Sequence, residues 1–168
     1  MHTTPDHSMA EPPEDTVRRV ALQALQRYEG QQGNLLPVLH AVQEMLGYIP
    51  AAAVPVLAEA MQLSRAEIHG VISFYAHLRD KPAGKVVLEI CRAEACQAMG
   101  GERLAEHARH SLGCDFHATT ADGRVTLEPV YCLGLCAQSP SVMIDGRPHA
   151  RMTADKLDAL LREKGVRP

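Results

Sequence analysis

The apolar positions of residues 14–80 recur at the i, i+3, i+4 spacing that is typical of amphipathic helices. Four short helices are predicted. Gly30 and Gly47 end the first two, Asn34 caps the second, and Ser64 opens a capping box for the fourth. Short helices joined by tight turns pack as a small bundle. The predicted apolar faces are Val17, Val20, Ala21, Ala24, Leu25 and Tyr28 in the first helix, Leu35, Leu39, Val42 and Leu46 in the second, and Ile68, Val71, Ile72 and Tyr75 in the fourth, with the third helix at about 51–61.

The pattern changes after Lys81-Pro82-Ala83-Gly84, where strands and helices begin to alternate. The predicted order over residues 85–168 is β-α-β-β-β-β-α, which indicates a small open α/β sheet. The predicted elements are strands at 86–90, 116–119, 125–130 and 142–145, a helix at about 97–112, a hairpin at Asp145-Gly146 followed by a further strand, and a last helix capped by Thr153 and stopped by Gly165. The predicted fold class is therefore α+β, with a disordered tail at residues 1–13, which are polar and rich in proline.

Composition and charge exclude several classes of function. Aromatic residues make up 4% of the 168 residues, tryptophan is absent and the net charge is −3, so neither stacking platforms nor a basic surface indicate nucleic-acid binding. No apolar run reaches the roughly 20 residues that a membrane span requires. The first residues lack the apolar stretch of a secretory signal, so we expect a cytoplasmic protein. In that reducing setting, cysteines are more often metal ligands or redox groups than disulfides.

Four of the five cysteines form two closely spaced pairs, each predicted at a strand end. Cys91 ends the first strand and Cys96 is predicted just before the following helix. Cys132 and Cys136 lie in the loop after the strand that ends at Val130. Strand ends and helix N-termini present free backbone N–H groups, which stabilise an anionic group such as an iron–sulfur cluster. Spacing and placement alone leave an iron–sulfur cluster and a zinc site open. A thioredoxin-type dithiol would require Cys-x-x-Cys, which is absent.

Five stretches together resemble the 24-kDa subunit family of NADH:quinone oxidoreductase, over about residues 20–161. They are Leu36-Pro37-Val38-Leu39-His40 with Gly47-Tyr48-Ile49-Pro50, Ile68-His69-Gly70-Val71-Ile72-Ser73-Phe74-Tyr75, Cys91-x4-Cys96, residues 119–128, and Cys132-Leu133-Gly134-Leu135-Cys136. The resemblance implies a helical bundle followed by a thioredoxin-like domain. It also implies a [2Fe–2S] cluster bound by Cys91, Cys96, Cys132 and Cys136, with no catalytic residue of its own. The cluster of this family lies near the FMN of a flavoprotein partner, which binds FMN and NAD.

Within that family, Cys91-Arg92-Ala93-Glu94-Ala95-Cys96-Gln97 and Leu63-Ser64-Arg65-Ala66-Glu67 most resemble the gamma subunit of molybdenum-containing, NAD-dependent formate dehydrogenases. This resemblance implies an electron-transfer subunit, with the molybdenum cofactor on a catalytic partner. The equivalent subunit of NADH:quinone oxidoreductase or of an NAD-linked hydrogenase is the alternative. A zinc-stabilised assembly module is the alternative from a different class of protein, and it predicts no visible absorption.

Other residues invite a functional interpretation. Cys114 is a candidate fifth ligand, although a cysteine of this kind more often packs as a small hydrophobic residue. Arg92, beside Cys91, is a candidate for tuning a cluster or docking a flavoprotein, with a solvated arginine as the alternative. His69 and His77 are placed about two turns apart on the fourth helix, which does not suit a metal pair, and we interpret them as surface or interface residues.

Overall fold

The computed structural model describes residues 11–167, so the predicted tail falls mainly on residues outside the described part of the chain. The described residues form two compact units, one extending to Pro82 and the other beginning at Ala83. No helix within residues 11–167 combines the length and the apolar character that crossing a bilayer demands.

The first unit consists of four helices around one apolar core. Helix α1 packs on α2 and α3, and α3 packs on α4. Leu39, Leu57 and Ile68 are completely buried, and each side chain contributes roughly 1.5–3 kcal/mol by leaving water. The helices are α1 Glu14–Arg27, α2 Leu35–Leu46, α3 Ala53–Met61 and α4 Arg65–Phe74.

The helix boundaries of the first unit agree closely with the sequence pattern, and the capping box is confirmed. The Glu67 N–H donates to Ser64 Oγ at 3.1 Å, and the Ser64 N–H donates to the Glu67 carboxylate at 2.7 Å. Asn34 precedes α2 as expected, but its side chain does not cap that helix. It donates instead to the Tyr28 carbonyl at 3.0 Å, because Asn34 has helical backbone angles rather than the extended angles of a capping residue. Tyr75 follows α4 in an extended conformation.

The second unit is a five-stranded sheet with helices. Its strand order is β2-β3-β1-β4-β5, where β1 and β3 are parallel and the other neighbouring pairs are antiparallel. Alternate residues of the central strands, including Leu88, Leu127 and Ile144, share a core with α6 and α7. The elements are β1 Val86–Cys91, α5 Glu94–Ala98, α6 Gly101–Leu112, β2 Ala118–Thr119, β3 Val125–Val130, a 3-10 turn Cys136–Gln138, β4 Val142–Ile144, β5 Arg147–His149 and α7 Ala154–Glu163.

The single helix predicted at 97–112 is wrong in one respect, since it is two helices. The chain breaks at Met99 and at Gly100, which has a φ of +91°. A side chain at Gly101 would place its Cβ 2.6 Å from the Cys96 carbonyl oxygen. The two glycines therefore permit a sharp turn in which α6 begins directly against α5. As a result, Cys96 is the third residue of α5 rather than a residue before the helix.

Three further local features occur at the ends of elements in the second unit. The second strand is shorter than expected and begins at Ala118, because His117 has a φ of +61° that interrupts an extended strand. Asp145 and Gly146 both have positive φ and connect β4 to β5, which confirms the predicted hairpin. Thr153 accepts a hydrogen bond from the Lys156 N–H at the start of α7, as a capping residue does.

Candidate metal centre

The parallel pairing of β1 and β3 brings the two cysteine pairs to the same edge of the sheet. Cys91, the last residue of β1, lies in register with Val130, the last residue of β3. The Arg92 N–H donates to the Val130 carbonyl at 2.8 Å and extends this pairing by one residue. Because the carboxyl ends of parallel strands meet at one edge, the loop that carries Cys132 and Cys136 starts beside Cys91.

The first pair is buried. Cys91 is 2% exposed and Cys96 is 1% exposed, and the Cys96 thiol lies within hydrogen-bonding reach of Cys91 Sγ. Helix α5 supplies Cys96, and its first turn is fixed by a hydrogen bond from the Gln97 side-chain amide to the Arg92 carbonyl at 2.7 Å. These contacts hold two thiols at the end of a central strand, away from bulk water.

The second pair lies on the loop after β3 and is exposed. The sulfur atoms of Cys132 and Cys136 are 3.5 Å apart, and the Gly134 N–H donates to Cys132 Sγ at 3.4 Å. Gly134 has a φ of +75°, and Cys132 itself has a φ of +96°, which is costly for a residue with a side chain. This conformation turns the loop back toward the end of β1.

Backbone N–H groups surround the buried Cys91 sulfur. Burial alone would raise the pKa of Cys91. Hydrogen bonds from the Ala93 N–H, the Cys96 thiol, and the N–H groups of Leu133 and Cys132 together lower that pKa below its ordinary value. Successive N–H groups that point at one atom form an anion-binding concavity. Two of these N–H groups belong to Cys132, the residue with the unusual φ, and to Leu133, which follows it.

At the exposed side of the group, the neighbouring sulfurs disfavour ionisation of Cys136. The pKa of Cys136 is raised, first by its hydrogen bond with Cys132 and then by the charges of Cys132, Cys96 and Cys91. The other three cysteines thus act electrostatically on Cys136. A bound cation would relieve the repulsion among four thiolates, as metal centres do when they bind deprotonated cysteines.

The donor set fits a [2Fe–2S] cluster. Such a cluster takes two thiolates on each of two irons, and the thiols here form one buried pair and one loop pair. The amides directed at Cys91 supply the hydrogen bonds to sulfur that these anionic clusters receive. Among residues 11–167, no group of three or more His, Cys, Asp or Glu side chains is placed to hold a single metal ion.

The structure places the other candidate residues elsewhere. Cys114 packs against the core of the second unit, and burial, together with the Asp115 carboxylate, raises the pKa of its thiol. His69 is exposed on α4, whereas His77 lies beyond the end of that helix, so the prediction that α4 carries both is wrong. The His77 ring instead lies 5.6 Å from that of His40.

Arg92 is held in place rather than freely solvated. Its guanidinium donates to both carboxylate oxygens of Glu102, at 2.7 and 2.8 Å, and it lies 5.0 Å from the centre of the Phe116 ring. Within the described part of the chain, its Nε atom is buried without a hydrogen-bond partner. Arg92 thus joins the end of β1 to α6.

Two serines near Cys96 were not identified from the sequence. Ser141 Oγ lies 3.5 Å from Cys96 Sγ, and Ser139 Oγ lies 3.7 Å from the same sulfur. Nothing in the spacing of Ser139-Pro140-Ser141 signals this contact, because it depends on the pairing of β4 with β1. The sequence predicts free N–H groups at this strand end, but not that those of Leu133 and Cys132 face Cys91, because that contact depends on the tertiary fold.

Comparison with known proteins decides the family. The family model described as "Thioredoxin-like [2Fe-2S] ferredoxin" matches residues 21–164. The chain belongs to this thioredoxin-like [2Fe–2S] ferredoxin family. The match covers both units and confirms the expected α+β fold with a thioredoxin-like domain, and membership supports an iron–sulfur cluster as the bound group.

Two similar proteins match this chain over most of their own length. A subunit of the NADH-quinone oxidoreductase of Pseudomonas aeruginosa is 31% identical over 147 residues, which cover 88% of this chain and 89% of the relative. The HndA subunit of the NADP-reducing hydrogenase of Solidesulfovibrio fructosivorans is 28% identical over 159 residues, which cover 95% of this chain and 91% of the relative.

A solved structure shares the fold. The air-oxidized NAD+-reducing [NiFe]-hydrogenase contains a chain that matches with a TM-score of 0.64 and 29% sequence identity, over 77% of this chain. The match spans only 22% of that hydrogenase chain. The similarity therefore extends over only a small part of the hydrogenase chain.

Proposed function

We propose that this protein carries one [2Fe–2S] cluster on Cys91, Cys96, Cys132 and Cys136 and transfers single electrons as a subunit of an NAD-dependent oxidoreductase. The main observation in support is the buried Cys91 sulfur. It accepts hydrogen bonds from N–H groups of the same loop that bears Cys132 and Cys136. When bound, a cluster of this type supplies a one-electron acceptor and donor.

The four cysteines would hold the cluster, and the residues around them shape its surroundings. Burial of Cys91 and Cys96 excludes water from one side of the site, while the loop pair leaves the other side open to a partner. The N–H groups near Cys91 stabilise negative charge on sulfur and therefore favour the more negative, reduced state. Because Cys132 and Cys136 reach the surface, the loop would be the side on which a bound cluster exchanges electrons with a partner.

We further propose which NAD-dependent complex contains this subunit. The motif from Cys91 to Gln97 resembles that of the gamma subunit of formate dehydrogenases, which supports a cytoplasmic complex that oxidises formate. In such a complex, FMN and NAD would bind a flavoprotein partner, and a molybdenum cofactor would bind a catalytic subunit. The names of the relatives support the alternative, in which the complex reduces quinone or reacts with hydrogen.

The ligand assignment is tested by replacing each cysteine with serine. Each of Cys91→Ser, Cys96→Ser, Cys132→Ser and Cys136→Ser should lower iron and acid-labile sulfide per chain. Cys114→Ser is the matched control and should keep the wild-type content, because Cys114 packs against the core. A full wild-type cluster in Cys132→Ser would contradict the assignment.

The choice of complex is tested by purifying the native assembly through a tag on this chain. We expect a flavoprotein and a molybdenum-containing subunit to co-purify, together with formate-dependent reduction of NAD⁺. Hydrogen-dependent reduction of NAD⁺, or NADH-dependent reduction of quinone, without formate activity would replace the formate proposal by the corresponding alternative.

A further inference from the structure

Ser141 contacts both cysteines of the buried pair. Its carbonyl accepts a hydrogen bond from the Cys91 N–H at 3.1 Å, and its hydroxyl oxygen lies 3.5 Å from Cys96 Sγ. The residue is 1% exposed and immediately precedes β4. Because the first contact fixes the backbone of Ser141 against β1, the hydroxyl is held beside the Cys96 sulfur.

The direction of the Ser141 hydrogen bond depends on the state of Cys96. In the thiol form, either the sulfur or the hydroxyl can donate. A thiolate that binds iron has no proton, so the hydroxyl must then be the donor. A buried hydroxyl requires a partner, and hydrogen bonds from a neutral donor to a charged acceptor are stronger than those between neutral groups.

Ser139 offers a natural comparison within the same segment. Its hydroxyl lies 3.7 Å from Cys96 Sγ but donates to the Cys136 carbonyl at 2.8 Å. One hydroxyl has a single proton, so Ser139 cannot donate to the sulfur while it keeps that hydrogen bond. Ser141 can therefore donate its hydroxyl proton to the Cys96 thiolate, whereas the proton of Ser139 is used by the Cys136 carbonyl.

We propose that Ser141 is a positioning and tuning residue, whose hydroxyl donates to the cluster-bound Cys96 sulfur and raises the reduction potential of the cluster. This inference rests on the proposed function. Reduction adds one electron to an already anionic cluster, with no bond broken and no proton transferred. A fixed donor stabilises the more negative state to a greater extent, so hydrogen bonds to the sulfurs raise the potential.

The test is an anaerobic redox titration of the purified full chain with dithionite as reductant, followed by EPR. In Ser141→Ala, the ratio of reduced to oxidised cluster at a fixed solution potential should fall roughly three- to tenfold, where tenfold corresponds to about 59 mV for one electron. Ser139→Ala is the matched control and should change the ratio less than twofold. Ser141→Thr retains a hydroxyl and should keep the wild-type ratio.

A second readout does not depend on the potential. Resonance Raman spectra in D₂O should show a deuterium shift in an Fe–S(Cys) mode of the wild type that is lost in Ser141→Ala and kept in Ser141→Thr. Wild-type ratios and spectra in a cluster-loaded Ser141→Ala would overturn the proposal. If Ser141→Ala binds no cluster, a cluster-loaded Ser141→Thr protein with a lowered potential and no deuterium shift would overturn the proposal as well. A wild-type chain without iron and sulfide would instead contradict the proposed function.

Discussion

A methyl group at Gly101 should damage the site that holds Cys96. The added Cβ of Gly101→Ala would lie 2.6 Å from the Cys96 carbonyl oxygen and 2.8 Å from its carbonyl carbon. Optimal contacts between carbon atoms are about 3.5–4.0 Å, so α5 must move by about 1 Å. Overpacking of this kind costs about 1–3 kcal/mol.

The expected loss is measurable in the second unit. For a domain of this size, 1 kcal/mol shifts Tm by about 4–8 °C, so Gly101→Ala should lower Tm by about 4–24 °C. Because the displaced carbonyl belongs to Cys96, the iron content per chain should fall too. Thermal melts followed by circular dichroism, with iron assays before heating, measure both effects.

Gly70→Ala provides the control, since Gly70 also lies in a helix but has open space where the Cβ would be. Replacing an interior helical glycine by alanine stabilises by roughly 0.5–1 kcal/mol, so this variant should melt no lower than the wild type. A Gly101→Ala protein with the wild-type Tm and full iron would refute the close contact between α5 and α6.

Two further predictions concern other contacts. The buried Gln43 amide donates to the His77 carbonyl at 2.8 Å and accepts from the Arg79 N–H at 2.7 Å. Gln43→Ala should therefore lower the free energy of unfolding, measured by urea titration, by about 1–3 kcal/mol. An unchanged free energy of unfolding would contradict this role. Burial raises the pKa of Asp145, but its hydrogen bond with Lys164 and that from the Val87 N–H give a net lowering. The stabilisation is therefore present above the unfolded pKa of about 3.9 and is lost as the pH falls through the folded pKa. Asp145→Asn should cost more stability at about pH 7 than at about pH 3, and equal losses would refute this.

Local signals in the sequence predicted most helix and strand boundaries. The capping box at Ser64 and the Asp145-Gly146 hairpin depend on groups within a few residues of one another, so a short stretch of sequence contains the whole interaction. The break between α5 and α6 has a signal too, in Gly100 and Gly101. It was missed because the apolar spacing suggested one continuous helix.

The chemistry around the cysteines is less accessible to sequence reasoning. The spacing identifies Cys91 and Cys132 as members of two pairs, but their proximity depends on the parallel register of β1 and β3. The positive φ of Cys132 and the amides that face Cys91 arise from tertiary structure. Ser141 reaches Cys96 only because β4 lies beside β1.

The most direct test of the central claim is an anaerobic optical and EPR spectrum of the purified chain, as isolated and after dithionite reduction, with iron and sulfide assays. We expect a brown protein with about two irons and two sulfides per chain and a rhombic S = 1/2 signal on reduction, as a single [2Fe–2S] cluster requires. A colourless protein that binds zinc, and stays colourless after cluster reconstitution, would contradict the account.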